Sequence, residues 1–163
     1  MLVSQKIIDA INGQIGMELA ASLQYDAIGA HFDAISLPGL AKHFYKQSTE
    51  ERGHAHRFMK FVLDAGGRVV IPAIDAPVPD FKFAKDAVKL SLDQELKVTH
   101  AINDIYNLAL KEGDQIEIRV AGSRAFEIDR DRTVERALAR IRKLRRPLPA
   151  GFKFDRREVN ERG

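Results

Sequence analysis

No cysteine occurs anywhere in the 163 residues. That excludes a disulfide framework and any thiolate chemistry. No apolar run approaches the roughly 18 residues a membrane span needs, so no membrane partner is expected. The opening stretch, Met1 to Lys6, has no signal-peptide core and runs straight into a helical pattern. No glycine-rich phosphate loop, Ser-His-Asp set, internal repeat or low-complexity tract is present. What remains is 45% hydrophobic and 30% charged, which fits one compact domain over 1–163 with a real core. A soluble, cytoplasmic protein is expected.

Charge is unevenly spread. The whole chain carries +3, yet residues 115–163 hold 14 Lys and Arg against 8 Asp and Glu. Acidic residues are interspersed throughout that stretch. It therefore reads as a solvated helix face with a loose tail, and a nucleic-acid partner is not expected.

The apolar spacing predicts an all-α fold. Helix one is expected from about Ser4, a candidate cap, to Phe32, with Ile7, Ile8, Ile11, Ile15, Glu18, Leu19, Ser22 and Tyr25 inward. Helix two follows a Ser-Leu-Pro-Gly turn and runs from about Leu40 to Ala65. Its inward stripe is Phe44, Gln47, Glu51, His54, Phe58 and Phe61 or Val62, and Gly66-Gly67 stops it. Residues 68–83, with Pro72, Pro77 and Pro79, read as a long extended crossover. Helix three runs from about Ala84 to Lys111, with Val88, Leu92, Glu95, Val98 or Thr99, Ile102, Ile105 or Tyr106 and Ala109 inward. Beyond it, Ile116, Ile118 and Val120 alternate as in a strand. Val134, Ala137, Leu138, Ile141 and Leu144 have helical spacing, and residues 152–160 suit a short terminal helix. The sum is a four-helix bundle with a long crossover between helices two and three.

Glu18, Glu51, His54 and Glu95 stand on stripes that are otherwise apolar. Buried carboxylates are costly unless something positive neutralises them. Residues three apart share a helix face, so Glu51 and His54 can offer two ligands to one metal ion. Bundles with di-metal carboxylate centres carry such Glu-x-x-His elements. Carboxylate and imidazole together suit iron, manganese or zinc. Glu51 is the natural bridge, with Glu18 and His54 on one metal and Glu95 on the other. Tyr25, two turns after Glu18, is either a core aromatic or a phenol serving the site. His31, His43, His56 and His100 form no comparable constellation.

These residues carry a family resemblance. Glu50-Glu51-Arg52-Gly53-His54-Ala55 resembles the second-helix motif of ferritins. Asn12 and Glu18 followed by Tyr25 resemble the first helix, and Asp93-Gln94-Glu95 with Val98-Thr99 the third. Gly66-Gly67-Arg68-Val69 and the proline-rich crossover are similar to the segment between them. The likeness covers residues 1–114 and is greatest to haem-free prokaryotic ferritins. It implies Fe(II) oxidation by O2 or peroxide at a di-iron ferroxidase centre, with Fe(III) mineral stored in a homo-oligomeric cage of 24 subunits.

Residue by residue, the resemblance implies Glu18, Glu51 and His54 on the first iron and Glu51 and Glu95 on the second. It implies Tyr25 beside the centre and Glu50 at a third site. Counting forward without gaps puts the family's fourth-helix Glu-Gln pair on Glu127 and Ile128 and the next third-site carboxylates on Arg130 and Asp131. Glu127 and Asp131 are thus candidate ligands. Ile128 cannot ligate, which implies an impaired second site. The family's Trp-containing run before that pair is absent, so 115–163 is expected to hold a divergent fourth helix and a C-terminal helix. Phe154-Asp155-Arg156-Arg157-Glu158 again resembles the family's terminal helix. Two other readings stay open: a rubrerythrin-like di-metal peroxidase or oxidase without storage, and a structural shell with an impaired centre.

Overall fold

The computed structural model describes residues 3–113, 116–121 and 125–130. Three long helices form its body: α1 (Gln5–Ala34), α2 (Pro38–Asp64) and α3 (Ala84–Glu112). An antiparallel hairpin follows, β1 (Ile116–Ala121) and β2 (Ala125–Arg130), in register from Ile116 opposite Arg130 to Ala121 opposite Ala125.

Local chemistry sets the helix ends. The Ser4 side chain accepts from the Ile7 amide at 3.4 Å and caps α1. Ser36 takes a left-handed conformation, φ 61°, in the turn to α2. Pro38 then occupies the first turn of α2, where its missing N–H is no loss, so the helix starts two residues before Leu40. At the far end Gly66, φ 75°, reverses the chain. The Gly66 amide donates to Leu63 O and the Gly67 amide to Val62 O, both at 2.9 Å, closing the last turn. Asp86 accepts from the Phe83 amide at 3.2 Å and so secures the start of α3.

Both α2 and α3 pack on α1. The crossover runs along α1, held by two side-chain amides that pair with backbone as a neighbouring strand would. Asn12 donates to Arg68 O and accepts from the Val70 amide, each at 3.0 Å. Gln24 donates to Val78 O at 2.9 Å and accepts from the Val78 amide at 2.8 Å. The crossover covers much of α1 that the helices leave open, which is why Asn12, Gly16 and Gln24 are buried as well as the predicted stripe, of which only Leu19 is partly exposed.

The apolar core comes in two pieces. One gathers Ile7, Ile8, Ile11 and Ile15 with Phe58, Phe61 and Val62 of α2 and Val98, Ile102 and Ile105 of α3. Each of those first four isoleucines is fully buried, worth about 1.5–3 kcal/mol apiece. The other gathers Tyr25, Ile28 and Phe32 with Ala41, Phe44 and Ala87. Between them lies a polar layer: Glu18, the Ser22–Ser48 hydroxyl pair at 3.1 Å, Glu51 and His54.

Two sequence expectations need correction. The spacing places Val88 and Leu92 inward, yet they are 49% and 57% exposed. The rest of the expected α3 stripe holds, with Val98, Ile102, Ile105 and Ala109 buried, and Ala87 is buried in place of Val88. Glu127 and Ile128 lie on strand β2, opposite Arg119 and Ile118, not on a helix. Extended pairing rises about twice as fast per residue as a helix, so a gap-free count from Glu95 loses its spatial meaning there. The helical spacing at 134–144 and the terminal helix at 152–160 lie outside the described residues.

Candidate metal centre

α1 supplies Glu18, and α2 supplies Glu51 and His54 from one face, a single turn apart. The three are 0%, 6% and 4% exposed. One ligand atom from each lies within 4.8 Å of the others, the spacing of donors around a shared ion. His54 Nδ1 is 2.8 Å from Glu51 Oε2 and 3.6 Å from Glu18 Oε2.

The electrostatics of this cluster are those of a site short of positive charge. Burial pushes the Glu51 carboxyl above the usual range, and the neighbouring Glu18 pushes it the same way against the pull of His54. Burial alone favours a neutral His54. Hydrogen bonding to Glu18 and Glu51 and their charges outweigh it and carry the imidazole up to about 9. A shared proton on Nδ1 thus does part of the work a cation would do. Glu18 Oε2 is buried and makes no close hydrogen bond; its contact with His54 Nδ1 is long, at 3.6 Å. Such a poorly satisfied carboxylate oxygen beside an imidazole and a second carboxylate is a donor set that fits iron, manganese or zinc.

Glu95 of α3 stands outside that tight trio and is half-buried. It is tied to the layer through Tyr25, whose hydroxyl donates to Glu95 Oε1 at 2.8 Å. Burial first, then Glu95 and Glu51, hold the Tyr25 phenol well above its ordinary range. Glu50 lies apart from the trio, accepting from Gln47 at 2.6 Å and pairing with Lys46 at 3.3 Å. Glu127 is on β2, and Asp131 lies outside the described residues. His31 packs edge-on against Phe32 and Phe81, and His43, His56 and His100 are exposed.

One residue of the layer was missed in the sequence. Gln14, 1% exposed, donates to Glu18 Oε1 at 2.6 Å. Its signal was present: a glutamine four residues before a buried glutamate, on the same helix face.

The chain is similar to several known proteins. The family model described as "Ferritin-like domain" matches residues 8–116. The ferritin BfrB of Mycolicibacterium smegmatis is 45% identical over 106 residues, which is 65% of this chain and 59% of that protein. The bacterial non-heme ferritin of Staphylococcus aureus is 31% identical over 117 residues, 72% of this chain and 70% of that one. Among solved structures, an open-pore ferritin from Archaeoglobus fulgidus superposes with a TM-score of 0.66 at 30% identity, covering 68% of each chain. The chain thus spans about three-fifths of the length of the first of these relatives.

Proposed function

The chain belongs to the ferritin family, with the all-α ferritin-like bundle as its fold, and on that footing we propose that it oxidises ferrous iron for storage. Glu18, Glu51 and His54 take the first ferrous ion as substrate. Glu51 bridges to a second, which Glu95 helps to hold, with Tyr25 orienting the Glu95 carboxylate. Electrons pass from Fe(II) to O2 or peroxide, and the Fe(III) product collects as mineral inside a cytoplasmic homo-oligomeric cage. The observation that carries this reading is the poorly satisfied Glu18 Oε2, fully buried beside Glu51 and His54. A buried carboxylate oxygen whose contact with the imidazole is as long as 3.6 Å is poorly compensated, and a metal ion in place of that proton compensates it better.

The test adds Fe(II) aerobically to metal-free protein and follows ferric absorbance, with Glu51→Ala as the control. Fast oxidation lost in the variant, with the iron retained in a large particle on gel filtration, supports storage. Oxidation with no iron retained favours a di-metal oxidase, and oxidation no faster than in the variant leaves only a shell.

A further inference from the structure

Gln14 sits one turn before Glu18 on α1, and both side chains are essentially inaccessible to solvent. Its Nε2 donates to Glu18 Oε1 at 2.6 Å, a short, charge-assisted hydrogen bond. The two oxygens of Glu18 are therefore unequal. Oε1 is engaged by Gln14 at 2.6 Å, while Oε2 makes no close hydrogen bond and has only the long contact of 3.6 Å to His54 Nδ1. The carboxamide has only one workable orientation. Reversing it would set Gln14 Oε1 against a carboxylate oxygen. As placed, Gln14 Oε1 is itself without a partner, and the side chain lines a groove of about 280 Å³ between α1 and α3, with Asp104 among its walls.

We propose that Gln14 is a positioning residue for the metal centre: it occupies one oxygen of Glu18 so that the other is presented, singly and in a fixed direction, to the first metal ion. This deepens the metal reading above and rests on it. The chemistry of the contact suits the task. A Lys or Arg at position 14 would neutralise Glu18 and compete with the cation. A Glu would repel it. A neutral amide donor fixes the carboxylate while leaving its full charge for the metal. Groups that hydrogen-bond a ligating side chain commonly set its direction, and losing one typically weakens metal binding about 10–100-fold.

The test uses Co(II) alone, titrated into the full-length metal-free protein and followed by its visible absorption bands, which report ligand geometry rather than turnover. Gln14→Leu and Gln14→Met both delete the donor at similar size, and Met adapts where Leu does not fit. Gln24→Leu is the control: it removes another buried α1 glutamine, one that holds only the crossover. The expected result is a first Co(II) ion bound about tenfold or more weakly by the Gln14 variants, with altered bands, while circular dichroism shows their helices intact and Gln24→Leu binds as wild type does. Gln14 variants that bind Co(II) with wild-type affinity and bands overturn this inference alone. Wild-type protein that binds no Co(II) overturns the inference and the metal reading together.

Discussion

Tyr25 of α1 donates a 2.8 Å hydrogen bond to Glu95 of α3, directly beside the layer where α1 and α2 bring Glu18, Glu51 and His54 together. It makes the phenol the link between the trio and the carboxylate that stands outside it. Tyr25→Phe keeps the ring that packs on Phe44 and removes only the hydroxyl. It should cost about 1–2 kcal/mol in denaturant unfolding, since Glu95 is half-buried and water replaces part of the bond. It should also slow iron oxidation, because Glu95 is then free to turn away. Unchanged stability and rate would mean that the hydroxyl is an idle core group.

His54 gives the centre a pH dependence whose sign is fixed. Its folded value of about 9 lies above the ordinary 6.5, so its contribution to the stability of metal-free protein is full below about pH 6.5 and lost as pH rises through about 9. The raised Glu51 carboxyl acts in the same direction at lower pH. Thermal melts of metal-free protein should therefore show a lower Tm at about pH 9.5 than at about pH 6.5. Metal binding runs the other way: the ion must displace the His54 proton, so affinity should rise across that range with release of a proton. Calorimetry in buffers of different ionisation enthalpy measures that proton directly.

The crossover amides offer a third check. Among the described residues between 68 and 82, the Val70 and Val78 amides have intramolecular acceptors, Asn12 Oδ1 and Gln24 Oε1. Those two N–H groups should exchange with deuterium markedly more slowly than their neighbours in the segment. Gln24→Ala should abolish protection at Val78 and leave Val70 protected. Uniformly fast exchange would remove the clamps from the account.

Close approach at Gly16 predicts a fourth outcome. A Cβ there would overlap the Pro72 ring, and a proline ring cannot swing aside as a flexible side chain can. Gly16→Ala should destabilise by about 1–3 kcal/mol as the crossover lifts. Gly13→Ala, one turn position away with open space around its Cβ, should be neutral or slightly stabilising. Denaturant midpoints of the pair give the comparison.

The sequence made some of this legible and hid the rest for identifiable reasons. Helices α2 and α3 are readable because 3.6-residue periodicity is strong over nearly thirty residues each, whereas α1, covered by both helices and by the crossover, shows it weakly and is legible from its Ser4 cap and its run of buried isoleucines. Glu18, Glu51 and His54 stood out because a charge on an apolar stripe conflicts with its surroundings. Periodicity cannot tell how far along a helix its apolar face meets a neighbour, so it reads Val88 and Leu92 as inward together with Val98, Ile102, Ile105 and Ala109, and only the latter four are buried. Nor can it separate a buried polar side chain that serves a backbone from one that faces water, which concealed the clamping roles of Asn12 and Gln24. Glu127 was misplaced for a different reason: a residue count carries position only while the local conformation stays the same, and at β1 it changes.

The most direct test of the central claim is anomalous diffraction at the iron edge from crystals soaked anaerobically in Fe(II). A peak is expected among Glu18 Oε2, Glu51 and His54 Nδ1, within coordination distance of all three. Iron confined to surface carboxylates, with this trio unchanged and no peak between its members, would contradict it.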